Sequence, residues 1–184
     1  MKKLLLAFLL YQSSFIIGAT QNNTDSLRVY WNDTQHSDSL RANALDRLAS
    51  YFINENRDSA WSRYNGLLAF AENKKMPLFK AKAINGFSNL KSREDDHHAA
   101  IKYGNEALQI FREINDNKGI AGCYINMAGS FYMLGQVNLS IKYVIKGTKI
   151  CEKYKIESYL INGYSFIGYM YYAQKNYADA LKYM

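Results

Sequence analysis

The side chains in this sequence with chemistry to offer are a few acids, two histidine neighbours, two thiols and one mid-helix amide. Asp95, Asp96, His97 and His98 form the one cluster of metal-type ligands. Adjacent histidines at a helix start point in different directions, and no second ligand pair lies nearby. The better reading is two acids at a helix N-terminus, where the dipole favours negative charge. Cys123 and Cys151 fall near the start of one predicted helix and the end of its antiparallel partner, at similar heights. They could form a disulfide in an oxidising compartment, or stay as two buried free thiols, the commoner state on apolar faces. Asn126 lies mid-helix, where asparagine is a mediocre helix former and a buried amide must find partners. No Gly-rich phosphate loop, G-x-S-x-G elbow, H-E-x-x-H motif or paired-carboxylate pocket is present. These residues point to binding rather than catalysis, with no metal and no cofactor.

The elements that position them are helices. The stretch Asn117 to Ile156 reads as two amphipathic helices folded together at Gly135-Gln136. Tyr124, Met127, Ala128 and Phe131 share one face of the first, and Ser140, Val144 and Gly147 one face of the second. Forty residues on, the pattern returns as Tyr164, Ile167, Gly168, Tyr171 and Ala180. Forty residues back, Pro77 opens a helix carrying Phe79, Ala83, Ile84, Phe87 and Leu90. Lys91 stands there where the aromatic is expected. A first unit runs from Asp38-Ser39, read as a cap, through Leu45, Leu48, Ala49 and Phe52. A turn at residues 54–57 and a cap at Asp58-Ser59 lead to Ala60, Trp61 and Tyr64. Its small-to-small step, Ala49 to Ala60, is one residue shorter than Ala128 to Ser140.

Aromatic and small residues at these offsets resemble the tetratricopeptide (TPR) signature, W-x2-L-G-x2-Y followed by a small residue, from about residue 38 onward. The period of forty also suits armadillo and HEAT hairpins, but the small-residue pairs favour the close crossing of TPR hairpins. The expected fold is all-α, a right-handed solenoid of antiparallel helix hairpins with three full repeats and a truncated fourth. The units are residues 38–76, 77–116, 117–156 and 157–184, after a surface lead-in at 20–37. No polar cap follows the last unit, so the chain reads as a fragment of a longer protein.

The resemblance implies a binding module whose first helices line a concave groove for a protein or peptide. Mapped onto that pattern, Asn85, Asn89, Arg93, Asn126, Tyr132, Asn162, Tyr169 and Tyr172 fall on the groove side. Asn126 stands two before the small residue Ala128, a place the family uses to hold a ligand backbone. Gly86 and Phe166 in the neighbouring units do not match it. The order of N-terminal segment, Trp31-Asn32-Asp33-Thr34-Gln35 and repeats also resembles the sensory front of bacterial signalling proteins. In those, the output is an adenylate or guanylate cyclase, a histidine kinase or a helix-turn-helix domain.

The formal charge is +7, with 23 basic residues scattered among 16 acids and no basic run, which disfavours nucleic acid as partner. Lys2 and Lys3, the apolar run Leu4 to Leu10, and Gly18-Ala19 before Thr20 follow the order of a secretory signal. The apolar run is far shorter than the roughly 20 residues a spanning helix needs. Residues 1–19 are therefore expected to be removed, leaving the protein on the periplasmic or outer side of a bacterial cell. Contact with a membrane would then require an uncleaved signal or a further C-terminal segment. Intact-mass measurement of the exported protein should give a chain starting near Thr20; retention of Met1 to Ala19 would refute the signal.

Overall fold

The computed structural model describes residues 24–183, so the expected signal at 1–19 lies outside the described residues. All regular structure among them is helical. Helix α1 spans residues 24–32. It is followed by α2 (Asp38–Glu55), α3 (Arg57–Asn73), α4 (Pro77–Arg93), α5 (His97–Glu113), α6 (Asn117–Met133), α7 (Val137–Tyr154), α8 (Glu157–Ala173) and α9 (Tyr177–Tyr183). Successive helices pair as antiparallel hairpins, α2–α3, α4–α5, α6–α7 and α8–α9, and the hairpins stack into a TPR-like solenoid.

The turns explain why the helices repeat. From α3 onward, every connection carries one residue in the left-handed region: Lys75, Asp95, Asn115, Gly135, Lys155 and Lys175, one every twenty residues. The residue after each sends its N–H back to the carbonyl five positions earlier, as in Asp96 to Lys91 at 3.0 Å and Gln136 to Phe131 at 2.9 Å. This closure satisfies the orphan carbonyls of the helix end. Glycine holds that conformation only at Gly135; the other five residues have a Cβ and accept a cost of roughly 1 kcal/mol each.

The first hairpin is built differently. Asn56 alone, with φ −156° and ψ 103°, separates α2 from α3. Its N–H bonds the Phe52 carbonyl at 2.9 Å, and its side chain accepts from the Ser59 N–H at 2.9 Å. One residue thus ends a helix and caps the next, which is why this hairpin is a residue short. The expected turn at 54–57 and cap at Asp58-Ser59 are corrected accordingly, and Ser37, accepting from Leu40 N–H, replaces Asp38-Ser39 as the first cap.

Within each hairpin the helices cross at small residues. Ala49 and Ala60, Ser88 and Ala100, Ala128 and Ser140 are all buried, as are Gly168 and Ala180 in the last pair. In the second hairpin the Ser88 hydroxyl donates across the crossing to the Ala100 carbonyl at 2.7 Å. In the third, Ser140 donates the opposite way to Ala128, also at 2.7 Å. A hydroxyl that reaches a backbone carbonyl requires the two backbones to be almost in contact, so the bond both needs and fixes the crossing. One turn further along, Phe131 meets Tyr143 edge-on at 4.7 Å and Tyr171 stacks on Tyr183 at 5.8 Å. The first hairpin puts Arg63 over Phe52 at 4.1 Å instead. In the second, Lys91 lies 5.3 Å over Trp61, whose ring stacks on Phe87 at 4.9 Å, so the aromatic missing at Lys91 comes from the preceding helix.

Part of the surface lead-in expected over 20–37 is corrected: residues 24–32 form a helix that packs on the first hairpin. Leu27 and Trp31, four residues apart, give α1 an apolar edge among polar neighbours. Leu27 is buried with Ala44 and Leu48, and Trp31 meets Phe70 edge-on at 5.1 Å. Arg41 Nε donates to the Trp31 carbonyl at 3.1 Å. Residues 24–32 therefore cover the first hairpin.

First helices of consecutive hairpins touch (α2–α4, α4–α6, α6–α8), whereas second helices do not approach one another within 8 Å between Cα atoms. The stack therefore curves with the even-numbered helices inside. Two glycines on that side test the assignment of faces. A Cβ at Gly86 would sit 2.3 Å from the ring of Tyr64, which is buried and bonded to Ser50; a Cβ at Gly129 would meet nothing within 4 Å. Gly86→Ala should cost about 1–3 kcal/mol through overpacking, more than helix propensity returns. Gly129→Ala should leave stability unchanged or raise it by up to about 1 kcal/mol. Thermal melts should show a lower melting temperature for Gly86→Ala and an unchanged or higher one for Gly129→Ala, and equal shifts would refute this packing.

Candidate ligand groove

The inner face carries two cavities. The first, about 340 Å³, is rimmed by Asp46, Lys82, Asn85, Asn89 and Asn126, with Asp116 and Lys118 at one end. The second, also about 340 Å³, is bounded by Asn54, Ser92 and Arg93. Ser50, Asn89 and Asn126 line both, so the two form one trough along α4 and α6.

Three aromatic rings seated on three glycines shape the trough. Tyr64 from α3 lies on Gly86, Phe111 from α5 on Gly119, and Tyr159 from α8 crosses Gly122, its oxygen 2.9 Å from where a Cβ would be. Burial drives the Tyr64 hydroxyl well above its ordinary range, and it shares a 3.0 Å hydrogen bond with Ser50. Burial likewise raises Tyr159. Both hydroxyls are thus neutral dipoles at any physiological pH. Lys82 bridges α4 to α2 by a 3.0 Å ion pair with Asp46. Asp116 caps α6 by accepting from the Lys118 N–H at 3.2 Å.

The amides differ in what they already hold. Asn85 accepts a weak hydrogen bond from the Cys123 thiol at 3.5 Å. Asn89 and Asn126 make no hydrogen bond to any described residue, and Asn126 does not bridge the helices of the stack. Of the residues mapped to the groove from sequence, Asn85, Asn89, Arg93 and Asn126 do line this trough. Tyr132, Asn162, Tyr169 and Tyr172 do not line it. Tyr132 packs edge-on against Tyr169 at 5.8 Å and Phe166 at 5.9 Å, and the neighbouring Tyr169 raises its hydroxyl above the ordinary range. Tyr172 pairs with Tyr177 at 5.6 Å, and Asn162 is exposed on α8. They form an aromatic shoulder on the last two hairpins.

Sequence reasoning missed Asp46, Ser50, Tyr64, Asp116 and Tyr159. Asp46 and Ser50 had a signal: an offset of 39 residues aligns them with Asn85 and Asn89, once the short first turn is allowed for. Tyr159 had none, because its reach depends on the absence of a side chain at Gly122 on another helix.

The acid–histidine cluster is a helix start. The Asp96 side chain accepts from the Ala99 N–H at 3.1 Å, and Asp95 is the left-handed turn residue. His97 is buried with its Nδ1 unbonded and its Nε2 3.9 Å from Asp95, while His98 faces outward. No group of three or more metal-type ligands assembles among the described residues. No helix among them is long and apolar enough to cross a membrane. The pairing weighed for Cys123 and Cys151 is not made: both are free and buried, and the Cys123 thiol turns to Asn85 on α4 instead.

No family model matches the chain, and no curated protein matches it in sequence. Solved structures do match. A Rap protein complexed with Competence and Sporulation Factor aligns with a TM-score of 0.77 at 15% identity, over 95% of this chain and 48% of that one. Aspartyl phosphate phosphatase F from Bacillus subtilis aligns at 0.65 and 16% identity, over 95% of this chain and 56% of that one. BtubC from P. vanneervenii gives 0.63 at 16% identity, with 95% and 72% covered. The chain spans about half the length of the first two. At such identities the likeness establishes the all-helical repeat fold.

Burial pushes the Cys123 thiol up to about 12, with Asp116 adding to the shift. Its folded value lies above its unfolded value, so the native state keeps a proton that the unfolded chain releases. Stability is therefore unaffected below the unfolded pKa near 9 and falls as pH rises toward 12, by at most about 1.4 kcal/mol per pH unit. Cys123→Ser should flatten that alkaline slope in denaturant titrations. The native thiol should resist a disulfide reagent at pH 8 until the chain is unfolded; rapid native labelling would refute its burial.

Proposed function

We propose that this chain is a binding scaffold whose inner trough holds an extended segment of a protein or peptide. The observation that carries the reading is the pair of unpartnered amides, Asn89 and Asn126, shared by both cavities. A side-chain amide can donate to a backbone carbonyl and accept from a backbone N–H, so a row of them suits an extended chain of any sequence. These amides are half-buried and still open to solvent, so a ligand backbone would take the place of water as their partner. Support also comes from the Rap protein of the same fold, which was solved with a bound factor. The aromatic shoulder of Tyr132, Tyr169 and Tyr172 adds apolar area with polar tips beside the trough.

We further propose that the protein works outside the cytoplasm of a bacterial cell, with residues 1–19 as its signal and 38–184 as the repeat domain. A second reading makes the same trough the input end of a membrane signalling protein with a cyclase, kinase or helix-turn-helix output. What favours it is the order of signal-like segment, the Trp31-to-Gln35 stretch and repeats. Sequence beyond Met184 separates the two: a stretch of about 20 apolar residues favours signalling, and a stop after a polar helix favours a free scaffold.

The groove reading is tested with a peptide selected on the wild-type chain from a random heptapeptide library. Asn126→Ala should weaken its binding by about 1–3 kcal/mol in calorimetric titration while the melting temperature stays unchanged or rises slightly. A loss of thermal stability without ligand, with affinity intact, would make Asn126 a structural residue and retire the groove.

A further inference from the structure

The charges along the trough are not balanced. Asp46 is engaged with Lys82 at 3.0 Å. The Asp116 carboxylate accepts from the Lys118 backbone N–H, a neutral donor, and keeps its charge, so Lys82, Lys118 and Arg93 face two carboxylates along the trough. The Lys118 ammonium and the Arg93 guanidinium have no acidic partner within 4 Å among the described residues. Both are exposed, and each borders a different cavity: Lys118 the first, Arg93 the second. The three amides lie between them. Lys118 also borders an apolar cleft with Leu78 and Lys82, which places it level with the N-terminal half of α4, whereas Arg93 ends that helix. At 1.5 Å per helical residue, the eleven to fifteen residues between these levels amount to about 16–22 Å.

Resting on the groove reading above, we propose that the bound segment is acidic: an extended stretch of about five to seven residues, at 3.3 Å each, with carboxylates meeting Lys118 and Arg93 at its two ends. The side chains between them need supply no charge, because the middle of the trough offers amides and hydroxyls. Without Lys2 and Lys3 of the proposed signal the chain still carries a formal charge of +5, which draws the same kind of partner from a distance. A continuous polyanion such as single-stranded nucleic acid fits less well. Its phosphates would follow one another past Asp46 and Asp116, two carboxylates inside the trough.

The test uses the full chain and a random heptapeptide library capped at both termini, so that only side-chain carboxylates can supply negative charge. Peptides selected on the wild type should be enriched in aspartate and glutamate near both ends. Their affinity should fall at least tenfold between about 0.1 M and 1 M salt, as the screening length drops from about 10 Å to 3 Å. The double variant Arg93→Glu with Lys118→Glu removes no side-chain hydrogen bond or ion pair within the fold, so its melting temperature should stay close to the wild type. Its selected peptides should be basic at the same ends. Neutral or basic peptides selected by the wild type, or one set of peptides bound equally by both proteins, would overturn the acidic ligand and leave the groove standing. An oligothymidylate that displaces the selected peptides at lower concentration than unlabelled peptide does would overturn it in favour of nucleic acid. Selection of no peptide by either protein would bring down the groove reading, and this inference with it.

Discussion

The structure depends on one constraint, the near-contact of two helix backbones at the crossing inside every hairpin. Ala49 on Ala60, Ser88 on Ala100 and Ala128 on Ser140 leave no side chain thick enough to separate them. Where one member is serine, its hydroxyl reaches the facing carbonyl at 2.7 Å, a bond that a wider crossing would break. Larger residues are then forced to either side of the crossing, where Leu48, Phe87, Met127 and Ile167 build the successive cores. The crossing therefore sets the hairpin angle, and the hairpin angle sets how one hairpin can rest on the next.

Curvature follows from the same geometry. First helices touch their counterparts and second helices do not, so the inner surface is continuous and the outer one is splayed. Glycines on the inner helices receive aromatic rings from elsewhere: Tyr64 on Gly86, Phe111 on Gly119, Tyr159 over Gly122. These rings close the trough from below while the amides of Asn89 and Asn126 remain free above it. The site is therefore a by-product of the stacking rather than a feature added to it. Its rigidity comes from buried contacts, and the polar groups it presents are those that stacking leaves unused.

Regular spacing is enforced at the turns. One left-handed residue every twenty positions, closed by a bond five residues back, gives helices of nearly equal length regardless of which residue occupies the turn. The exception at Asn56 shows what happens without it. A single extended residue caps two helices at once, the first hairpin loses a residue, and α1 covers that end with Leu27 and Trp31.

The sequence by itself determined the helices of the four hairpins, their pairing and the period, but not α1. Those depend on apolar spacing, small residues and breakers, which are local and recur four times. It also determined that Asn85, Asn89 and Asn126 share a side, because a helix face is a matter of counting. Only the tertiary structure decided which polar groups are already satisfied: Lys82 by Asp46, Tyr64 by Ser50, and the Cys123 thiol by Asn85. It also separated Tyr132, Tyr169 and Tyr172 from the amides and brought Tyr159 to them, across a glycine thirty-seven residues earlier. Such pairings join residues on different helices, and their distances are set by the crossing angle and the stacking, which no local pattern in the chain records.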